Sequence, residues 1–200
     1  MTRILAINGS YRAEGFTDQA VDHIAQVARS LGAEVEIIHL RDVPIEFCRN
    51  CRSCTQQPGS SPGHCIQHDA MPELLQKIEQ ADGFILASPT NFGSITALFK
   101  RFMERLVVYG YWPWGQHSPK PRQEGKATKK AVLISSSAAP ALMGLLFFNT
   151  IRQLKTTAKT IGAQPVDKVV TGLVAKDHQP ALSETTKQHL KNAAKKLVYP

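Results

Sequence analysis

Arg3-Ile-Leu-Ala-Ile-Asn8-Gly9-Ser10-Tyr11-Arg12-Ala13-Glu14-Gly15-Phe16-Thr17 is the stretch that decides the fold. Arg3–Asn8 is an apolar run of strand length. A short polar turn follows, and from Thr17 the pattern changes period: Ala20, Val21, Ile24, Ala28 and Leu31 recur at helical spacing until Gly32 stops them. A turn between a strand end and a helix start offers backbone N–H groups and a helix dipole to an anion. Ser10 and Thr17 can add hydroxyls, and Arg12 a charged fork. The glycine patterns of a Walker loop and of a dinucleotide fingerprint both fail here. The plain alternative is a turn in which Ser10 or Thr17 only caps the helix.

Working outward, the same alternation repeats. Glu34–Leu40 reads as a strand, Met71–Gln80 as a helix and Gly83–Ala87 as a buried strand. Ser94–Val108 follows as a helix, Ala131–Ser136 as a strand, Leu145–Ile161 as a helix, Val166–Leu173 as a strand and Leu182–Leu197 as a closing helix. Strands alternating with helices predict an α/β fold, a doubly wound, five-stranded parallel sheet with helices on both faces. The 200 residues suit one domain, spanning 1–200. Two insertions break the rhythm: a cysteine-rich loop at about 41–68 and a basic, aromatic loop at about 109–130.

In such sheets ligands bind beyond the carboxyl ends of the strands, at the point where strand order reverses. Two more segments leave strand ends. In Ser88-Pro89-Thr90-Asn91-Phe92-Gly93-Ser94, Pro89 stiffens the chain and Gly93 permits positive φ, so N–H groups can face a flat ring with carbonyls on its edge. Ser135-Ser136-Ser137-Ala138-Ala139 supplies small residues for the opposite side of a planar ligand. Three such segments at three strand ends point to one binding cleft.

All four cysteines fall in one segment, Cys48, Cys51, Cys54 and Cys65, with gaps of two, two and ten residues. Four thiolates brought to one point suit a 4Fe–4S cluster or a tetrahedral zinc, and reduced thiols without metal are the third alternative. No basic and apolar leader opens the sequence, and no apolar run reaches the roughly 20 residues that span a bilayer. A cytoplasmic location without membrane association is therefore expected. In that compartment four clustered cysteines indicate metal or redox chemistry rather than a disulfide framework.

The net charge of +8, from 24 Lys and Arg against 16 Asp and Glu, favours anionic partners. Its runs, including Lys187, Lys191, Lys195 and Lys196, read as a solvated helix face rather than a nucleic-acid site. Tyr109, Tyr111, Trp112 and Trp114 gather after the helix Ser94–Val108. They suit a roof over a ligand, a subunit interface, or a satellite core beneath a loop.

These motifs resemble the flavodoxin-like NAD(P)H-dependent FMN reductase family, especially its iron–sulfur flavoprotein branch. Gly9, Ser10, Arg12 and Thr17 match the family's first loop, with Tyr11 in place of proline. Ser88, Pro89, Phe92, Gly93, Ser94, Lys100 and Arg105 match the second loop and the helix after it. Asn91 stands where an aromatic residue is usual, and Glu104 where Asp is common. Cys65-Ile-Gln-His-Asp69-Ala-Met71 is similar to the family's Cys-X-X-X-Asp-Asp-Met. The likeness is good over residues 3–110 and architectural beyond.

The resemblance implies FMN, with its phosphate at Ser10, Arg12, Phe16 and Thr17. It implies the ring at Pro89, Thr90, Asn91, Phe92 and Gly93, with Ser136, Ser137 and Ala138 opposite. It implies that NAD(P)H is the electron donor, that a small molecule is the acceptor, and that the protein is a homodimer or homotetramer. It also implies Cys48, Cys51, Cys54 and Cys65 as ligands of a 4Fe–4S cluster, although the last gap is longer than that branch usually shows. Two functions then compete on one fold: an FMN-dependent NAD(P)H oxidoreductase and an FMN/4Fe–4S electron carrier. The scheme needs no side chain as general acid or nucleophile. A zinc-containing nucleic-acid module is a third class, but it leaves the strand-end loops without a purpose.

Overall fold

The computed structural model describes residues 1–122, 127–175 and 180–199. The chain runs β1 (Arg3–Asn8), α1 (Phe16–Ser30), β2 (Glu34–His39), α2 (Met71–Gln80), β3 (Gly83–Pro89) and α3 (Ala97–Arg105). After α3 come a short hairpin, β4 (Gly110–Tyr111) and β5 (Lys120–Pro121), then β6 (Lys129–Ser136), α4 (Ala141–Leu146), α5 (Thr150–Thr160), β7 (Ala163–Thr171) and α6 (Glu184–Val198).

The five long strands form one sheet in the order β2-β1-β3-β6-β7, and every pairing in it is parallel. This is the flavodoxin-like order, whose reversal lies between β1 and β3. Asn8 pairs with Ala87, and Pro89 with Ser136. The register therefore brings the ends of β1, β3 and β6 side by side, which is where the three loops identified from sequence emerge.

The central strands are apolar on both sides because both faces are covered. Ile4, Ala6 and Ile85 pack with Val21, Ile24 and Ala28 of α1 and with Leu190 and Ala194 of α6. Leu5, Ile7, Phe84 and Leu86 pack on the other face with α2, α3 and α5, through Ile78, Phe99, Phe102 and Leu154. Phe99 and Phe102 meet edge to face at 5.7 Å, and fully burying each such side chain contributes about 1.5–3 kcal/mol. Helix α1 ends through Gly32, whose φ of +89° lets the Gly32 N–H reach the Arg29 carbonyl and the Ala33 N–H reach that of Ala28.

Most ends shift by one to three residues, β7 running Ala163–Thr171 rather than Val166–Leu173, and two helices depart further from the sequence expectation. The helix expected over Leu145–Ile161 is two helices, broken at Phe147–Asn149. The break is tertiary in origin: the Asn149 N–H donates to the Gly93 carbonyl at 2.7 Å, so the second loop captures a backbone group that a continuous helix would use. The helix expected over Ser94–Val108 begins at Ala97, capped by the Thr96 hydroxyl, and after Arg105 tightens to a 3-10 turn over Leu106–Tyr109.

Candidate functional site

The turn after β1 is anchored before it can bind anything. The Gly9 N–H donates to the Ala87 carbonyl at 2.8 Å, and the Gly9 carbonyl accepts from Thr96 Oγ1 at 2.6 Å. A Cβ on Gly9 would lie 2.8 Å from Phe99 Cβ, so only glycine lets the turn press against α3. Beyond it, Ser10 Oγ accepts from the Arg12 N–H and faces the Arg12 carbonyl, both at 3.2 Å. Gly15 then opens α1 in extended geometry, with no side chain capping the helix. The first N–H groups of α1 are thus left for an outside acceptor, at the positive end of the helix dipole.

The other two loops close on this turn. Thr17 Oγ1 and Ser136 Oγ lie 3.0 Å apart across the sheet end. The Thr90 N–H donates to the Ser136 carbonyl at 2.7 Å, and Thr90 Oγ1 contacts both Ser135 Oγ and Thr150 Oγ1, at 3.2 and 2.8 Å. Ser10, Arg12, Phe16, Thr17, Pro89, Thr90, Asn91, Ser136, Ser137 and Ala138 line one cleft of ≈ 260 Å³. Tyr11 and Gly15 from the same motif join them, as do Val174 and Pro180, for which no sequence signal existed. Phe92 and Gly93 are not in the lining. Phe92 projects fully into solvent at φ +48°, and Gly93, at φ +71°, is committed through its carbonyl to Asn149. Roomier cavities of ≈ 680 and ≈ 720 Å³ lie at the opposite end of the sheet, around Lys159 and Gly162 and around Ala163 and Lys168. Their linings are not drawn from the carboxyl ends of the strands, so position in the fold rather than volume singles out the strand-end cleft.

Beside the cleft, α4 and the residue after it expose Leu142, Met143, Leu145, Leu146 and Phe147. A Cβ on Gly144 of this helix would come within 3.7 Å of Ser137 Oγ, so the apolar ledge adjoins the third loop.

The cysteine segment is a separate structure, held by arginines. Arg105 is 1% exposed, and its guanidinium bonds the Glu46 carbonyl at 2.9 Å, Asp69 through both Nη atoms, and Cys65 Sγ at 3.5 Å. Burial opposes ionisation of Asp69, but Arg105 and the Glu46 and Met71 N–H groups outweigh it and hold its carboxyl below the usual range. Arg122, also buried, reaches the carbonyls of Cys54, Gln57, Gly59 and Val108. Arg52 stacks between Trp112 and Trp114, 3.8 and 4.3 Å from their ring centres, and donates to the Trp112 carbonyl at 2.7 Å. The aromatics thus clamp the cysteine loop, and Trp112 and Trp114 do not line the cleft.

The four cysteines are free thiols of unequal exposure, from the exposed Cys51 to the buried Cys54. Burial, then the neighbouring sulfurs of Cys65, Cys48 and Cys51, pushes the Cys54 thiol up to about 11. The four therefore share one neighbourhood. Yet among the described residues no group of three or more His, Cys, Asp or Glu side chains is arranged to hold a metal ion. The donor types suit a cluster; their arrangement among the described residues does not.

An iron-sulfur flavoprotein of Archaeoglobus fulgidus is 36% identical over 103 residues, 52% of this chain and 48% of that one. The NADPH-dependent FMN reductase ArsH of Shigella flexneri is 31% identical over 106 residues, 53% of this chain and 36% of that one. The chain spans about half or less of the length of the curated relatives it matches. An FMN-dependent NADH-azoreductase from Bacillus anthracis, solved in complex with FMN, superposes over 99% of this chain and 100% of its own at a TM-score of 0.73 and 14% identity, which supports the fold alone. The family described as NADPH-dependent FMN reductase matches residues 2–177, a span that takes in the strand-end turn, both companion loops and the whole sheet. The chain belongs to the NADPH-dependent FMN reductase family.

Proposed function

We propose that the protein carries electrons from NAD(P)H to a small acceptor by way of FMN held in the strand-end cleft. Membership of the NADPH-dependent FMN reductase family supports an FMN-dependent oxidoreductase. One observation carries it. Loops from β1, β3 and β6 meet at an uncapped helix N-terminus ringed by Ser10, Thr17, Ser136 and Ser137. That is a cradle for a phosphate beside small residues that leave room for a flat ring.

In this reading Ser10, Arg12 and Thr17, with the first N–H groups of α1, bind the phosphate. Pro89, Thr90 and Asn91 flank the ring on one side, and Ser136, Ser137 and Ala138 on the other. Phe92, turned outward, is free to meet a second molecule rather than its own cleft. FMN when bound supplies two-electron chemistry at its ring. The chain supplies position, hydrogen bonds and exclusion of water. Saturable quenching of flavin fluorescence on titration with the apo protein at micromolar FMN is expected; its absence would sink the assignment.

A second reading, an electron carrier with a 4Fe–4S cluster, is carried by the spacing of Cys48, Cys51, Cys54 and Cys65 and requires these side chains to rearrange around the cluster. Iron and acid-labile sulfide bound in proportion to protein after anaerobic reconstitution would support it. A homodimer or homotetramer that covers the Leu142–Phe147 ledge is also part of the proposal. Light scattering should show the oligomer, and Leu146→Asp should shift it toward monomer. The setting is cytoplasmic, with neither membrane nor nucleic acid as partner. Among the described residues no helix is long and apolar enough to cross a membrane.

A further inference from the structure

Behind the Ser10–Thr17 turn lies a buried polar knot. Asp18, in the first turn of α1, is 3% exposed. Its carboxylate accepts from Asn8 Nδ2 at 2.6 Å, from the Glu14 N–H at 3.0 Å, and from Arg41 at 2.9 and 3.1 Å. Asn8, fully buried at the end of β1, accepts the Ser10 N–H at 3.0 Å and turns its amide also to His39 Nδ1 at 3.2 Å. Arg41 Nη1 donates to the Ser10 carbonyl at 3.3 Å. The Ser10 N–H, the Ser10 carbonyl and the Glu14 N–H are therefore each tied to Asn8, Arg41 or Asp18. Glu14 stands at φ +59°, a costly conformation for a residue with a side chain, and its bond to Asp18 fastens it there.

Charge imposes a second requirement. A carboxylate in the first turn complements the dipole of α1, yet here it sits just beneath a turn that receives a phosphate. Unpaired, it would repel that phosphate through a poorly solvated region, where charges are weakly screened. The Arg41 guanidinium lies against Asp18 and cancels it.

We propose that Asp18 and Arg41 are positioning residues for FMN. As a pair they set the anion-receiving shape of the turn and neutralise the carboxylate beneath it. The inference rests on the phosphate assignment above and extends it to residues outside the cleft lining.

The test compares FMN with riboflavin, which lacks the phosphate, on wild type, Arg41→Gln, Arg41→Lys and the Asp18→Asn/Arg41→Gln double variant. Arg41→Gln should weaken FMN about tenfold or more, the scale of one lost charge-assisted bond, and change riboflavin less than about twofold. Arg41→Lys, which keeps the charge but not the fork, should fall between wild type and Arg41→Gln. The double variant should recover FMN affinity relative to Arg41→Gln, because the uncompensated carboxylate is gone. If Arg41→Gln does not fold, the FMN-to-riboflavin ratio of Arg41→Lys decides: a lowered ratio supports the role. Equal loss of both ligands, an unchanged FMN constant, or a double variant no better than Arg41→Gln overturns it. Wild-type protein that fails to bind FMN, or binds riboflavin as tightly, overturns the phosphate assignment itself. A wild-type preference for FMN that survives intact in the Arg41 variants overturns only the positioning role.

Discussion

The strand-end cleft and the cysteine loop lie on one chain but are held by opposite means. The cleft is built from backbone: register sets Asn8 beside Ala87 and Pro89 beside Ser136, and short hydroxyl contacts such as Thr17–Ser136 finish it. The cysteine loop has almost no regular structure of its own. Arg52, Arg105 and Arg122 hold it by reaching across to carbonyls and a carboxylate. A site framed by a sheet inherits its rigidity from the core. A site framed by three guanidinium groups depends on each of them, because removing one strands buried acceptors.

The largest expected effect comes from unpairing the buried ion pair. Arg105→Leu takes the guanidinium from the Asp69 carboxylate, which keeps only the Glu46 and Met71 N–H groups, and removes the donor to the Glu46 carbonyl; it should lower stability by about 3–5 kcal/mol in urea unfolding. If the two regions are as separate as described, FMN affinity per folded molecule stays within about twofold of wild type. Gly63→Ala comes next. A Cβ there would fall 1.8 Å from the Cys54 carbonyl oxygen, a backbone clash that side-chain motion cannot relieve. Its cost should reach the upper part of the about 1–3 kcal/mol range for overpacking, with the cleft again unaffected.

Arg12→Ala works on the other region. It should cost about 1.5–3 kcal/mol of FMN affinity, roughly one to two powers of ten, with riboflavin barely changed. Equal losses for both flavins would show that this turn is not the phosphate site.

Acid should distinguish the regions more gently. The Asp69 carboxyl is held below its ordinary value in the folded protein. The unfolded chain therefore takes up that proton first as pH falls. The stability it contributes is complete above the unfolded value of about 4, and is lost as pH drops through the depressed folded value. The stability gap between wild type and Asp69→Asn should thus be widest near neutral pH and shrink in acid. A gap independent of pH would mean that the carboxylate charge is not what Arg105 needs.

What the sequence made legible follows the same division. Period and turn chemistry are local, so β1, α2 and the three strand-end loops could be read directly, and all but Phe92 and Gly93 of the residues assigned to FMN line one cleft. The break between α4 and α5 could not be read, because Phe147-Phe148-Asn149 is not a helix stop in itself; a bond to Gly93 makes it one. Asp18 and Arg41 were silent for a related reason. Their meaning lies in a contact between α1 and the residues after β2, and a charged residue on a helix is ordinarily solvated. The aromatic run left three uses open, and only the position of Arg52 selects the clamp.

That clamp has a practical consequence. The chain contains 2 tryptophans, and both flank Arg52. Indole emission is therefore a local signal from the junction of the two insertions and from nowhere else in the protein, while flavin emission comes from whatever holds the cofactor. A single sample, excited at two wavelengths, can follow loosening of the cysteine loop and release of the flavin as separate optical events.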